Sequence, residues 1–234
     1  MIYYKNIPLQ YIHYICLLPF YLIKTYILQY INLTFEKKLT KKNYKKEKEL
    51  YLNYQKQMVK MNKPIICILT GPCGAGKTTI SKGLSQHIDR TAYLEVDTLR
   101  HMLGKNEVDY STYTKEVKKQ INLSMDNAIS IGKNFIKNGF NVIIDDVLED
   151  TNQIEYYNKG LKGYKLFIFL LLPNKKVIEK RDKERKENAM NERALQLHDI
   201  FSKISNHDGW YVIDSSKHKV EDTIKEILKI IKTN

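Results

Sequence analysis

The 234-residue sequence has little cysteine, with Cys16, Cys67 and Cys73 spaced unevenly along the chain. Three such residues form no even, regular disulfide framework. Cys67 also lies in an apolar segment typical of a buried strand, so we expect a reducing, cytoplasmic environment. The chain has no Cys-x-x-Cys pair, and its six histidines are scattered without the spacing of zinc ligands. Disulfide scaffolds and structural zinc modules are therefore excluded.

Glycine is absent from the first seventy residues, and residues 1–57 also lack Ala, Val, Arg and Asp while holding ten of the seventeen tyrosines. This change in composition predicts an N-terminal extension over residues 1–60 and a domain over residues 61–234. Three interpretations of the extension stay open: upstream sequence read through to an assigned start, a weak membrane anchor within residues 1–35, or a solvated, disordered segment. The extension contains no small-residue cleavage site, so the sequence does not favour a secretory signal.

Positive charge is concentrated in the same extension. The chain has a formal net charge of +13, of which residues 1–60 contribute +8 and residues 61–234 only +5. A long nucleic-acid footprint needs a strongly basic surface. The sequence therefore predicts no nucleic-acid partner for the domain, and it leaves monomer and dimer open.

The first glycines occur in the segment GPCGAGKT, between the apolar run IICILT and a segment with apolar residues at helical spacing. Gly71, Gly76, Lys77 and Thr78 fit G-x-x-x-x-G-K-[ST], the phosphate-binding loop of P-loop NTPases. Such a loop directs backbone N–H groups at phosphate oxygens, its lysine reaches the β- and γ-phosphates, and its Ser/Thr hydroxyl binds Mg²⁺. The predicted nucleotide-binding residues are Gly71, Pro72, Cys73, Gly74, Ala75, Gly76, Lys77, Thr78 and Thr79.

An acidic residue, Asp97, follows the second predicted strand, at the sheet edge where open α/β proteins bind ligands. It fits two roles that are compatible: the N-cap of a helix beginning near Thr98, and a general base that accepts a proton from a substrate hydroxyl. Arg100 lies one helical turn beyond Asp97, and we predict that both contact substrate.

Two further acids, Asp145 and Asp146, end the apolar segment NVIIDD. We predict that Asp145 holds Mg²⁺, directly or through water, together with Thr78, and that both acids lie at the substrate site. Arg181 and Arg185 share one face of a charged helical stretch that we interpret as a short lid. In a phosphoryl-transfer enzyme, such a pair can neutralise transition-state charge.

Five apolar segments alternate with helical patterns, at residues 65–70, 92–96, 141–146, 165–172 and 210–214. Such alternation predicts a five-stranded parallel sheet with helices on both faces. A GTPase is excluded, because the one approximation to N-K-x-D, at residues 174–177, lacks the aspartate.

The motifs GPCGAGKT, EVDTLRHML, NVIIDDVLED, EKRDKER and WYVIDSS occur in an order that resembles chloramphenicol phosphotransferase and its P-loop kinase relatives, over about residues 63–232. The resemblance implies a nucleoside-kinase-like fold and the ATP- and Mg²⁺-dependent phosphorylation of a hydroxyl on a small molecule, such as an antibiotic, nucleoside or sugar. It also implies that Asp97 is the base, that Lys77 is the phosphate-loop lysine, and that Arg181 and Arg185 lie by the phosphates. The alternatives are a regulatory P-loop ATPase that acts on a partner, and a polynucleotide or nucleotide-sugar kinase.

Overall fold

The computed structural model describes residues 63–110, 112, 114–184 and 190–234. The predictions for the extension and for Arg185 fall outside these ranges. The strands are β1 (Ile65–Thr70), β2 (Thr91–Glu95), β3 (Asn141–Asp145), β4 (Lys165–Leu171) and β5 (Tyr211–Ile213). The α-helices are α1 (Lys77–His87), α2 (Val96–His101), α3 (Lys115–Lys137), α4 (Thr151–Gly160), α5 (Lys175–Lys183), α6 (Glu192–Ile204) and α7 (Val220–Thr233), and Gly104–Asn106 form a 3₁₀ turn.

The five strands form one parallel sheet in the order β2-β3-β1-β4-β5. The chain leaves the central strand β1 for the far edge at β2, returns to β3, and then continues on the other side of β1 with β4. The carboxyl end of β1 is therefore a switch point of the topology, which is where open parallel sheets bind ligands. The predicted fold class is confirmed.

The central strand is buried on both faces, which explains its unbroken apolar sequence. Ile66 and Ile68 pack with α3, α4 and α6, in a cluster that includes Met125, Tyr157 and Phe201. The alternate residues Cys67 and Leu69 pack on the other face, with α1, α5 and α7. Successive strand side chains point to opposite faces, so one six-residue strand supports both layers of helices.

The helix after β2 starts earlier than expected. Val96 is fully buried and already belongs to α2, so Asp97 lies in the first turn of the helix, and Glu95 occupies the N-cap position. The prediction that Asp97 is the N-cap is therefore wrong, because burial of Val96 turns the chain into the helix directly at the end of the strand.

Two helices were not distinguished in the sequence. Helix α4 begins after Asp150, whose side chain accepts a hydrogen bond from the backbone N–H of Gln153. Helix α6 buries Leu197 and Phe201, one turn apart, on the sheet. Within the described ranges, no helix has the length and apolar character needed to cross a bilayer.

Candidate active site

The segment between β1 and α1 is a tight loop that needs its glycines. Gly71, Gly74 and Gly76 have φ angles of 139°, 81° and 95°, in the region that side-chain-bearing residues rarely occupy. A Cβ atom on Gly71 would lie 2.3 Å from the carbonyl oxygen of Leu171, at the end of β4. The loop can therefore form only with glycine at its first position, where it passes against the neighbouring strand.

The loop ends at the N-terminus of α1, as the sequence predicts. Gly76 is the N-cap residue, and no side chain caps the helix there. The free N–H groups and the partial positive charge at a helix N-terminus make this a place for an anion. Pro72 and Ala75 are buried, Cys73 is half-buried and Thr79 is exposed, so these four residues form the frame and rim of the loop.

Lys77 folds back over the loop. Its Nζ donates to the carbonyl oxygens of Gly71 at 2.9 Å and Pro72 at 3.3 Å. The ammonium group thus lies at the loop, where it can neutralise phosphate charge.

Thr78 and Asp145, the two residues predicted to hold Mg²⁺, contact each other directly. The Thr78 hydroxyl donates to Oδ2 of Asp145 at 2.7 Å, and the hydroxyl of Tyr93 donates to the same oxygen at 3.3 Å. Burial and the negative charge of Asp145 raise the pKa of Tyr93 above its ordinary value. Tyr93 was missed in the sequence, because a tyrosine inside a strand looks like any other strand residue.

The oxygens of Thr78 and Asp145 fit a magnesium ion. The described residues contain no group of three or more His, Cys, Asp or Glu side chains that could form a protein cage for a metal. Mg²⁺ does not require one, since it is usually held by one or two carboxylates together with water and the phosphates of a substrate.

Asp146 faces the opposite way from Asp145 and is almost fully buried. Its Oδ1 accepts from Nη2 of Arg100 at 2.7 Å, and its Oδ2 accepts from the hydroxyl of Tyr157 at 2.9 Å. Burial raises the pKa of Asp146, while Arg100, Tyr157 and the backbone N–H of Val147 act to lower it. Asp146 therefore binds Arg100 from the buried side. The structure does not place Asp146 on the open surface of the site.

Arg100 connects this buried acid to Asp97. Its Nη1 donates to Oδ1 of Asp97 at 2.5 Å, and the Asp97 side chain is 58% exposed. Burial alone would lower the pKa of Arg100, but Asp146 and Asp97 outweigh it and raise the pKa above its ordinary value. The guanidinium is therefore a permanent cation that holds the Asp97 carboxylate in one orientation while leaving it open to solvent.

A partly open pocket lies beside Arg100, and we call it the side pocket. It is lined by residues from α2, α3, α4 and the segments next to them. These residues are Arg100, Tyr110, Thr112, Val117, Ile121, Val147, Glu149, Asp150 and Gln153. Arg100 is a predicted site residue, and Tyr110 and Thr112 lie in the region from Gly104 to Thr114 that is expected to line the acceptor pocket; the remaining residues form no local motif with them.

Arg181, in the last turn of α5, lies against the phosphate loop. Its Nη1 is 3.4 Å from the carbonyl oxygen of Ala75, and its Nη2 donates to the carbonyl oxygen of Ser215 at 3.1 Å. The next residue, Asp182, is buried and accepts hydrogen bonds from the backbone N–H groups of Met190 and Asn191. The base of the predicted lid is thus fixed next to the loop, while Arg185 is outside the described residues.

Comparisons with known proteins bear on the family and the fold of the chain. The family model of chloramphenicol phosphotransferase-like proteins matches residues 64–232. A guanylate kinase of Prochlorococcus marinus (strain MIT 9312) is 28% identical over 192 residues, which cover 74% of this chain and 99% of the relative.

Two solved structures share the fold. A tunicamycin resistance protein of Deinococcus radiodurans has a TM-score of 0.56 at 20% identity, covering 72% of this chain and 95% of the other. A shikimate kinase from Acinetobacter baumannii, solved in complex with shikimate, has a TM-score of 0.51 at 18% identity and covers 73% and 94%. The shared architecture is that of P-loop kinases.

Proposed function

The chain belongs to the chloramphenicol phosphotransferase-like family of P-loop kinases, and on that basis we propose that it transfers the γ-phosphoryl group of ATP to a hydroxyl group of a small molecule. Kinase relatives and the fold support phosphotransfer in general. The identity of the nucleotide, the role of Asp97 and the hydroxyl acceptor are the specific parts of the proposal.

One observation supports it above the others: two adjacent acids at the end of β3 serve two sides of one site. Asp145 contacts Thr78 of the phosphate loop, whereas Asp146 contacts Arg100, which in turn holds Asp97. A nucleotide on the loop and an acceptor beside Asp97 would therefore meet at the carboxyl end of a single strand. Phosphoryl transfer needs this positioning, since most of its catalysis is alignment and neutralisation of charge.

In the proposed reaction, the acceptor hydroxyl loses its proton to the carboxylate of Asp97 as its oxygen bonds to the γ-phosphorus. The bond from that phosphorus to the β,γ-bridging oxygen breaks, and ADP leaves. Arg100 keeps the Asp97 carboxylate oriented, while Lys77 and Arg181 lie where they can neutralise phosphate charge. Mg²⁺, when bound, would offset the remaining phosphate charge, with Thr78 and Asp145 as the residues that would hold it.

The test is transfer of labelled γ-phosphate from ATP with Mg²⁺ to a panel of hydroxylated antibiotics, nucleosides and sugars, with the full chain. The variant is Asp97→Asn. The matched control is Asp89→Asn, which makes the same change at an exposed residue before β2, at the opposite edge of the sheet.

We expect Asp97→Asn to lower kcat by about 10²- to 10⁴-fold, which is the usual contribution of a positioned general base. The dissociation constant of ATP should stay within about twofold, because Asp97 does not contact the phosphate loop. Asp89→Asn should behave as wild type. Equal transfer by Asp97→Asn and wild type would remove Asp97 from the chemistry, and no transfer to any compound would refute the kinase assignment.

A further inference from the structure

The side pocket has an excess of negative charge in a chain that is strongly positive overall. Among its described lining residues, Arg100 is the one cation, and Glu149 and Asp150 are the acids. Asp97 and Asp146 add two more carboxylates through their contacts with Arg100. Any acceptor that enters the pocket meets this set of charges.

Arg100, the arginine among the described lining residues, already forms two ion pairs. Its two terminal nitrogens donate to two different carboxylates, and its side chain is only 10% exposed. One guanidinium with two carboxylates leaves a net charge of −1. Arg100 is thus a poor partner for the carboxylate or phosphate of an anionic acceptor, which would have to displace Asp97 or Asp146 to bind it.

The two acids that line the pocket, Glu149 and Asp150, differ in how far their charge is neutralised. Glu149 is paired with Arg193 of α6 at 2.6 Å, so this pair is neutral. Asp150 is the N-cap of α4 and accepts from the backbone N–H of Gln153, which offsets its charge only through the partial charge of the helix terminus. Among the described residues, the Arg100 triad and Asp150 then contribute a net charge of about −2 before the helix terminus is counted.

Two buried polar atoms of the lining residues have no hydrogen-bond partner within the part of the chain that the structure describes: Nε of Arg100, a donor, and Oε1 of Gln153, an acceptor. Arg100 is 9% exposed as a residue. Buried polar atoms without a partner are rare in folded proteins and indicate a bound molecule or an ordered water. Nε of Arg100 is thus an unused donor and Oε1 of Gln153 an unused acceptor behind the surface of the side pocket.

We propose that the side pocket selects the phosphate acceptor by charge, favouring a hydroxyl compound that carries a protonated amine and rejecting one that carries a carboxylate or phosphate. The proposal rests on the proposed function, since it takes the side pocket as the acceptor site. It names the chemical class of the acceptor, which the family and the fold leave open.

The size of the effect follows from Coulomb's law. At a separation of roughly 8 Å, one net charge in the wall changes the affinity for a singly charged group by about two- to thirtyfold, depending on the effective dielectric constant. A change of two charge units, from an anionic to a cationic acceptor, should then change affinity by about fourfold or more.

The experiment uses three compounds with one sugar ring: glucosamine, N-acetylglucosamine and N-succinylglucosamine. They keep the same four hydroxyl groups and carry charges of +1, 0 and −1 near about pH 6.5. Binding to the full chain is measured by calorimetry with Mg²⁺ and a non-hydrolysable ATP analogue, and phosphate transfer is measured separately with ATP. Glucosamine should bind most tightly and N-succinylglucosamine least. Equal affinities, or tighter binding of the anion or the neutral compound, would overturn the proposal.

Asp150→Asn tests the source of the selectivity. Asparagine caps a helix as well as aspartate, so α4 should remain intact while one charge is lost. The control is Glu155→Gln, which removes an exposed acid from the same helix outside the pocket. The affinity ratio of glucosamine to N-succinylglucosamine should fall by at least about fourfold in Asp150→Asn, since the two ligands differ by two charge units. It should stay unchanged in Glu155→Gln, and an equal fall in both variants would refute the role of the pocket.

The two measurements separate the two proposals. Charge-ordered binding without phosphate transfer to any compound would refute the kinase assignment and keep the selectivity. Transfer with no dependence on acceptor charge would keep the kinase assignment and refute the selectivity.

Discussion

Replacing Arg100 with methionine tests the central electrostatic feature of the site. The substitution keeps an unbranched side chain but removes the cation that lies between Asp97 and Asp146. Asp97 is more than half exposed and can be solvated after the change. Asp146 cannot, because its side chain has no exposed surface. The main consequence is therefore an uncompensated charge in the core.

The cost can be estimated from the contacts that remain. Removing one partner of a buried ion pair typically costs about 3–5 kcal/mol. The hydroxyl of Tyr157 and the backbone N–H of Val147 would still donate to Asp146, so we expect a value near the lower end, about 3 kcal/mol. For a domain of this size, that corresponds to a fall in Tm of roughly 6–12 °C.

A double-mutant cycle with Asp146→Asn distinguishes an electrostatic effect from simple loss of packing. Asparagine removes the buried charge, so the Arg100→Met and Asp146→Asn double variant should be about 2 kcal/mol more stable than the sum of the two single effects predicts. Urea unfolding can be followed by the fluorescence of Trp210, the one tryptophan in the sequence, which is buried against α6. Additive effects, or a cost below about 1 kcal/mol for Arg100→Met, would refute the buried-charge argument.

Two further predictions concern the glycines of the phosphate loop and the buried Tyr157. Gly71→Ala should destabilise the protein by at least about 2 kcal/mol more than Gly76→Ala in the same urea assay. Both positions have φ angles that favour glycine, but only at Gly71 does the new Cβ meet the carbonyl oxygen of Leu171. Equal costs for the two variants would contradict this. Burial, and then the charge of Asp146, raise the pKa of Tyr157 well above its ordinary value. Its contribution to stability is thus present below the unfolded pKa of about 10 and is lost as the pH rises above it. Unfolding free energies from pH 8 to 11 should fall less steeply in Tyr157→Phe, and parallel curves would argue against it.

The fold was predictable because its signals are local. Each of the five strands is a short apolar run, and the observed bounds differ from the predicted ones by at most one residue at either end. The phosphate loop was predictable for the same reason, since its glycines, lysine and threonine are contiguous. Helix α2 was misplaced, because the signal for its start is the burial of Val96, and burial depends on residues far along the chain.

The rest of the site could not be predicted, because its contacts join distant positions. Tyr93 reaches Asp145 across 52 residues, and Arg193 reaches Glu149 across 44. No spacing rule connects such pairs. The side pocket has the same character, so its charge was not visible in the sequence, whose overall balance has the opposite sign.

The paired acids at the end of β3 show what a local sequence pattern leaves out. Asp145 and Asp146 were both expected at the substrate site, and both do lie at the carboxyl end of the sheet. Neighbouring residues of an extended chain point to opposite sides, however, so the first faces α1 and the phosphate loop while the second faces α2 and α4. One dipeptide therefore ties the phosphate loop to the helix that holds Asp97. A shift of β3 by one residue would move only one acid into the place of the other and would put Ile144 or Val147 in the vacated position, so one side of the site would lose its carboxylate. The register of β3 against β1, with Leu69 opposite Asp145, thus sets the geometry of the whole site.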